Sequence, residues 1–341
     1  MHLNSDKPVS VHAFSVAPMM ELTDQFCRYF HRCLSKRALL YSEMVTSNAI
    51  IHGDRDYLLG FDPSEDPVVL QLGGSDPAAM AHCAKIGQQY GYAQINMNVG
   101  CPSDRVQSGR FGACLMAEPD LVAACISAMQ QAVDIPVTVK CRVGIDRDDA
   151  YEPFARFIET LRESGCDTFI VHARKAWLDG LSPKENRDVP PLRYDFVQRI
   201  KQSMPETTFI LNGGLHDHQR ALEFLTSENG TPLDGVMLGR DAYRNPWLLN
   251  DVDHLYFGDA QSELSRADVV EQMYPYIERQ LSLGVHLGKI SRHMLGLYQG
   301  QPGGRLWRRH ISENAWHEGA GIDVLRQGLE LVENAAAKFA A

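Results

Sequence analysis

Eight short β-forming runs recur along the first 240 residues, and this recurrence constrains the fold more than any single motif. They lie near Ala13–Ala17, Leu39–Glu43, Val68–Leu72, Ala93–Asn98, Pro136–Arg142, Thr168–His172, Thr208–Asn212 and Gly235–Gly239. Their starts are 26, 29, 25, 43, 32, 40 and 27 residues apart. Segments of helical period fall between them, including Ala78–Tyr90, Pro119–Ala132, Pro153–Ser164, Asp195–Ser203 and His218–Ser227. Strand and helix alternating in this way form a parallel sheet. Eight units match a (β/α)8 TIM barrel, whose usual size is about 250 residues. A doubly wound open sheet is the alternative, weakened because no G-x-G-x-x-G follows the first run.

Two of the wide spacings hold insertions, Gly100–Cys114 after the fourth strand and Arg174–Leu192 after the sixth. Both follow the C-terminal ends of strands, the face on which barrels build active sites. Long loops there are usually functional or disordered. Beyond Leu249 the β signal stops, and Ala267–Leu283, His286–Tyr298 and Gly321–Phe339 read as helices. Leu287, Ile290, Met294 and Leu297 form one apolar stripe, and Ile322, Leu325, Leu329 and Val332 another. Such stripes are read as helix-bundle core. The expected division is a barrel over residues 1–250 and a helical domain over residues 251–341.

Composition excludes several classes. Of 341 residues, 44% are apolar and 22% charged, which is ordinary for a folded cytosolic enzyme and unlike a disordered chain. No run approaches the roughly 18 apolar residues of a membrane span. Met1–Ser10 is polar, so no signal peptide is expected, and a cytoplasmic location without membrane contact follows. The eight cysteines contain no C-x-x-C pair, which argues against a zinc site and a disulfide framework. His216 and His218 lack a carboxylate set, and no metal is assigned to them. The net charge is −10, yet Arg279–Ser312 carries six bases and no acid. That stretch reads either as a local polyanion surface or as a solvated helix face.

The strand ends carry the chemistry. Asn212-Gly213-Gly214 ends the seventh strand and Gly239-Arg240 the eighth. Barrels often bind phosphate through these two loops, where glycines admit backbone N–H groups and an Arg adds charge. Gln71, Asn96, Asn98, Lys140, Arg142, His172 and Arg174 lie on or just past other strands, on one face. Each alone reads equally as a satisfied structural residue. Burying all of them without a ligand is costly. A flat cofactor with polar edges and a phosphate tail would use them, with Gln71 both donating and accepting at a ring edge. Lys140 suits a ring position that becomes negative on reduction. The loop Asn98-Val99-Gly100-Cys101-Pro102 presents a thiol beside a strand end. An unperturbed thiol is only about 3% ionised at pH 7, a poor nucleophile but an available general acid. Arg105 and Arg110 are the sequence neighbours able to change that. The alternative is an inert loop cysteine.

Taken in order, Val16-Ala17-Pro18-Met19, Gln71-Leu72-Gly73-Gly74, Asn96-Met97-Asn98-Val99-Gly100-Cys101-Pro102, Lys140-Cys141-Arg142, His172-Ala173-Arg174, Asn212-Gly213-Gly214 and Gly239-Arg240 resemble the tRNA-dihydrouridine synthases. Lys175-Ala176-Trp177-Leu178, Gly180 to Arg187, Val189 to Leu192, and Gly300 to Arg309 resemble the A subfamily, which reduces uridine at D-loop positions 20 and 20a. The resemblance implies bound FMN, NADPH as reductant, tRNA as substrate and no obligate protein partner. It places Ala17, Pro18, Met19, Gln71, Lys140, His172, Asn212, Gly213, Gly214, Gly239 and Arg240 around FMN. It makes Cys101 the proton donor to uracil C5, with hydride passing from flavin N5 to C6. Asn98 then contacts the target nucleotide, and Lys184, Arg187, Arg305 and Arg308 orient the tRNA. Trp307, among the arginines, reads either as a base-stacking aromatic or as a core anchor of the helical domain. Three rival readings are a flavin barrel reducing a small enoate or pyrimidine, a non-catalytic tRNA-binding protein, and a lyase using Lys140 as a Schiff-base amine.

Overall fold

Successive side chains on a strand point to opposite faces, so a two-residue period decides what fills a barrel and what faces its helices. A computed structural model describes residues 10–103, 109–148, 150–226 and 230–340. Its strands are β1 (Phe14–Val16), β2 (Leu40–Thr46), β3 (Val68–Gly73), β4 (Gln94–Val99), β5 (Val137–Arg142), β6 (Thr168–His172), β7 (Thr208–Asn212) and β8 (Gly235–Leu238). All neighbours are parallel, in the order β1-β8-β7-β6-β5-β4-β3-β2. A parallel bridge from Ser15 to Leu39 joins the two ends, with Val16 N–H donating to the Leu39 carbonyl at 3.0 Å. The eight strands therefore form a TIM barrel rather than an open sheet.

Ala17, Leu39, Tyr41, Val69, Ile170, Ile210 and Met237 pack into one buried cluster. Two residues further along β3, β6 and β7, the same alternation brings Gln71, His172 and Asn212 to the C-terminal end. β4 reverses the usual pattern: Ile95, Met97 and Val99 alternate with Gln94, Asn96 and Asn98, and all six are buried. The outer helices begin and pack by ordinary rules. In Pro77–Gln89, Asp76 caps the Ala79 N–H at 2.7 Å, proline occupies the first turn, and Met80, Cys83, Ala84 and Gly87 face inward. A Cβ on Gly87 would stand 2.7 Å from Leu70 Cδ2 and 2.8 Å from Ile95 Cδ1, so glycine lets this helix lie close on β3 and β4 without displacing either side chain.

By contact, residues 10–21 and 39–239 form one compact unit, and residues 22–38 and 240–340 form another. The second is helical. The helix Gln25–Leu34 belongs to it and is fastened by two carboxylates. Asp24 caps the Cys27 N–H and pairs with Arg292 at 2.6 Å and His293 at 3.0 Å. Asp253 accepts from the Ser35 hydroxyl and from Lys36 N–H at 2.7 Å. The single helix expected over His286–Tyr298 is instead Leu287–Ser291 followed by a 3-10 turn, Arg292–Met294. Just beyond it the chain comes close to a neighbour, since a Cβ on Gly296 would lie 2.2 Å from the Arg244 carbonyl oxygen. The helix Gly304–Asn314 was hidden behind a glycine-rich turn. Its Trp307 is fully buried, donates to the Met294 carbonyl at 3.0 Å and packs on Tyr298. That resolves Trp307 as a core anchor.

No helix among the described residues is long and apolar enough to cross a membrane. Among the same residues no group of His, Cys, Asp and Glu could hold a metal ion. Trp307→Ala should cost about 3–5 kcal/mol, the usual range for emptying a buried aromatic site. A urea unfolding curve with no loss in midpoint would contradict that placement.

Candidate active site

The barrel mouth is organised by amides that satisfy one another. Gln71 pairs in register with Asn96, and its Nε2 donates to Asn96 Oδ1 at 2.8 Å. Asn96 Nδ2 donates to Thr138 Oγ1 at 2.9 Å. Asn98 Nδ2 donates to Gln71 Oε1 at 2.8 Å. A register shift in β2 between Tyr41 and Met44 lets the Ser42 hydroxyl accept the Gln71 backbone N–H at 3.0 Å. After these bonds, Gln71 keeps one amide N–H and one carbonyl lone pair for a ligand.

Asn98 also shapes the thiol loop. Its Oδ1 accepts from the Gly100 N–H at 3.1 Å and the Cys101 N–H at 3.0 Å, closing an Asx turn around the cysteine. Cys101 is half-buried, its Sγ lies 3.6 Å from Ser103 Oγ, and its carbonyl accepts from Ala113 N–H at 2.9 Å. Arg142 then ties this loop to the one after β6. Its Nε donates to the Gly100 carbonyl at 2.8 Å, and its Nη1 to those of Lys175 and Asn186 at 3.0 Å. Asn186 is fully buried and fastens the loop internally through Trp177 and Leu181. The Arg174–Leu192 insertion is thus stitched down, with Lys184 and Arg187 exposed on its outer turn. Arg110 is exposed and pairs with Glu118 at 3.6 Å, while Arg105 lies outside the described residues.

The electrostatics are one-sided. Burial, then the Arg142 charge, lowers the Lys140 pKa to about 8. Burial, then Arg142, Lys140, Arg174 and Arg187, holds His172 well below the usual histidine value, so its ring is neutral. Burial brings Arg142 down to about 10. No carboxylate is among the groups acting on Lys140 or His172. No hydrogen-bond or ion-pair partner for the Lys140 ammonium is present among the described residues. A cation left in this state suits an anionic or electron-rich ligand.

The seventh strand supplies a cradle. Gly213 and Gly214 have φ of 102° and 67°, in the left-handed region that glycine favours. A Cβ on Gly213 would stand 2.5 Å from His172 Cδ2. Asn212 is held by its own bond to the Met237 carbonyl at 2.8 Å. At the next strand, the Cβ position of Gly239 is 3.8 Å from both Ala17 Cβ and Met19 Sδ, which brings the Ala17–Met19 segment to the same end of the barrel. Pro18 and Met19 are partly buried there. Arg240 opens the short helix Arg240–Arg244 of the helical unit. Arg305 and Arg308 are exposed one turn apart on Gly304–Asn314, without an ion pair among the described residues. Of the other basic-stretch residues, Arg292 is engaged by Asp24 and Arg309 faces Glu313 at 3.9 Å. The sequence marks Arg142 as a polar strand-end residue but not as a fastener, does not single out Thr138, and holds Asn186 only as part of the Gly180–Arg187 motif. Only the inward period of β5 hinted at the first two.

A family model described as dihydrouridine synthase matches residues 15–337. The chain belongs to that family. A tRNA-dihydrouridine(20/20a) synthase of Yersinia pestis is 57% identical over 94% of this chain and 91% of its own length. One of Vibrio cholerae is 57% identical over 92% and 95%. One of Escherichia coli K12 is 56% identical over 94% and 91%. Among solved structures, a 2-naphthoyl-CoA reductase complex shares the fold with a TM-score of 0.56 at 9% identity, covering 72% of this chain and 51% of that one.

Lys140 links this candidate site to stability. Its folded-state pKa of about 8 lies below the ordinary 10.5, so folding favours the neutral amine. The penalty is fully present below about pH 8 and is relieved as pH rises toward 10.5. Ligand-free Lys140→Met protein should therefore melt higher than the parent at pH 7, with the gap shrinking by pH 10. Thermal melts at both values check this, and a lower melting point for the variant at pH 7 would contradict it.

Proposed function

We propose that this chain reduces the C5–C6 bond of uridine at positions 20 and 20a of the tRNA D-loop, giving 5,6-dihydrouridine, with FMN as bound cofactor and NADPH as reductant. The observation that supports it most directly is a thiol held by an Asx turn beside strand ends where no carboxylate is among the groups acting on Lys140 and His172. The relatives above carry that activity in their names, and dihydrouridine synthases are flavin-dependent oxidoreductases. The cytoplasm, where tRNA is processed, is the proposed location.

The residues fit such a cofactor. Gln71 offers its remaining N–H and lone pair to a ring edge. Lys140 would hold the side of the ring that becomes electron-rich on reduction. His172, neutral and seated against Gly213, Asn212 and the Gly213–Gly214 cradle take the sugar-phosphate tail, with Gly239 and Arg240. Ala17, Pro18 and Met19, at the same end of the barrel as Gly239, would line the ring. A bound flavin, reduced by NADPH, would supply the hydride equivalent for uracil C6. Cys101 holds the proton for C5 as the general acid of this step. Asn98 fixes that thiol and keeps one N–H for the uracil. The target base must leave its stack to reach the mouth. Lys184, Arg187, Arg305 and Arg308 hold the surrounding RNA by its phosphates. The barrel carries catalysis, and the helical part carries tRNA binding.

Purified protein should show a flavin spectrum. With NADPH and unmodified tRNA, nuclease fragments should gain two hydrogens in mass at position 20 or 20a. Turnover on free uridine or a small enoate, with none on tRNA, would replace this reading by a small-molecule reductase. Cys101→Ala should retain FMN and its reduction by NADPH but lose at least about 100-fold in product formation. Loss of flavin reduction as well would remove the assigned role. Arg305→Ala with Arg308→Ala should weaken tRNA binding and lower the salt slope of log K by about two. An unchanged affinity across a salt series would count against both residues.

A further inference from the structure

The Gly213–Gly214 cradle is fixed from outside by a residue not yet given a role. Tyr194 opens the helix Tyr194–Ser203, and its hydroxyl donates to the Gly213 carbonyl oxygen at 2.8 Å. A trans peptide keeps its C=O and N–H on opposite sides. The Gly214 N–H is therefore turned away from Tyr194. The phenol is itself held in place: the Phe224 ring lies 4.7 Å away, centroid to centroid, and the Arg220 guanidinium 5.6 Å from the ring. Contact is close, since a Cβ on Gly214 would stand 2.6 Å from Tyr194 Oη and 2.5 Å from Leu192 Cδ1. Burial raises the phenol pKa, so the hydroxyl remains a donor at neutral pH.

Two glycines at positive φ have many conformations open to them in isolation. An anion-binding N–H works best when its direction is set before the ligand arrives. The single hydroxyl-to-carbonyl bond sets it here. We propose that Tyr194 is a positioning residue for phosphate recognition, fixing the Gly213–Gly214 peptide so that its N–H serves the phosphate of the flavin. It thereby gives the site its preference for the phosphorylated flavin over the same ring system without phosphate. This rests on the FMN reading above.

The test is a fluorescence-quenching titration of flavin-depleted full-length protein with FMN and, separately, with riboflavin. Tyr194→Phe should bind FMN about tenfold more weakly and riboflavin unchanged, because one hydrogen bond is lost and the ring stays. Its flavin-free melting point should match the parent within a degree or two. Phe224→Leu keeps the hydroxyl but loosens the ring, and should shift the preference in the same direction by less. If Tyr194→Phe does not fold, Phe224→Leu carries the test. An FMN-to-riboflavin ratio unchanged in whichever variant folds, or equal losses for both ligands, would overturn the proposal. Parent protein that prefers neither ligand would overturn the phosphate placement itself, a separate outcome.

Discussion

A buried amide without a partner costs about 1–3 kcal/mol, and the mouth of this barrel is built from amides that supply one another. Gln71, Asn96, Asn98 and Thr138 form a chain across three strands, started by the Ser42 hydroxyl at the β2 bulge. Each member is oriented by the next, so no rotamer is free to wander. The thiol loop inherits that order through Asn98, and the long loop after β6 inherits it through Arg142. Chemistry at the mouth is therefore positioned by hydrogen bonds in the barrel wall rather than by the loops themselves. Partly satisfied networks of this kind are costly, which gives the ladder an all-or-none character.

The same region carries an electrostatic debt. Lys140, Arg142, Arg174 and Arg187 act on His172 with no acid among them. A fold optimised for stability alone would place a carboxylate here or remove the lysine. Leaving the charge uncompensated keeps it available to a ligand, in line with the trade between stability and activity seen at strained sites.

The fold was legible because a two-residue period and a βα repeat are local signals. The strand ends at His172 and Asn212 were placed to the residue. The site was legible as a set of polar residues where core was due. What stayed hidden was connection. That Arg142 joins Gly100 to Asn186 depends on two loops meeting, 42 residues before it and 44 after it. Tyr194 reads as a helix-opening aromatic until Gly213 is seen against it. The change to a 3-10 turn at Arg292–Met294 was hidden too, because apolar periodicity does not distinguish it from a continuous helix. Trp307 shows the converse: its position among arginines drew attention to RNA, whereas its ring serves the interior.

The helix Gln25–Leu34 has a partner from far along the chain. Asp24 meets Arg292 268 residues later, and Ser35 meets Asp253 218 residues later. During synthesis this early helix leaves the ribosome long before the residues that cover it exist. Phe26, Cys27 and Phe30 must wait, apolar and uncovered, while most of the barrel is being made. Such a segment is exposed to misassembly for the whole of that interval. It also means that the chain cannot be divided cleanly by a single cut, because removing the C-terminal helices strips the cover from a helix that the cut leaves behind.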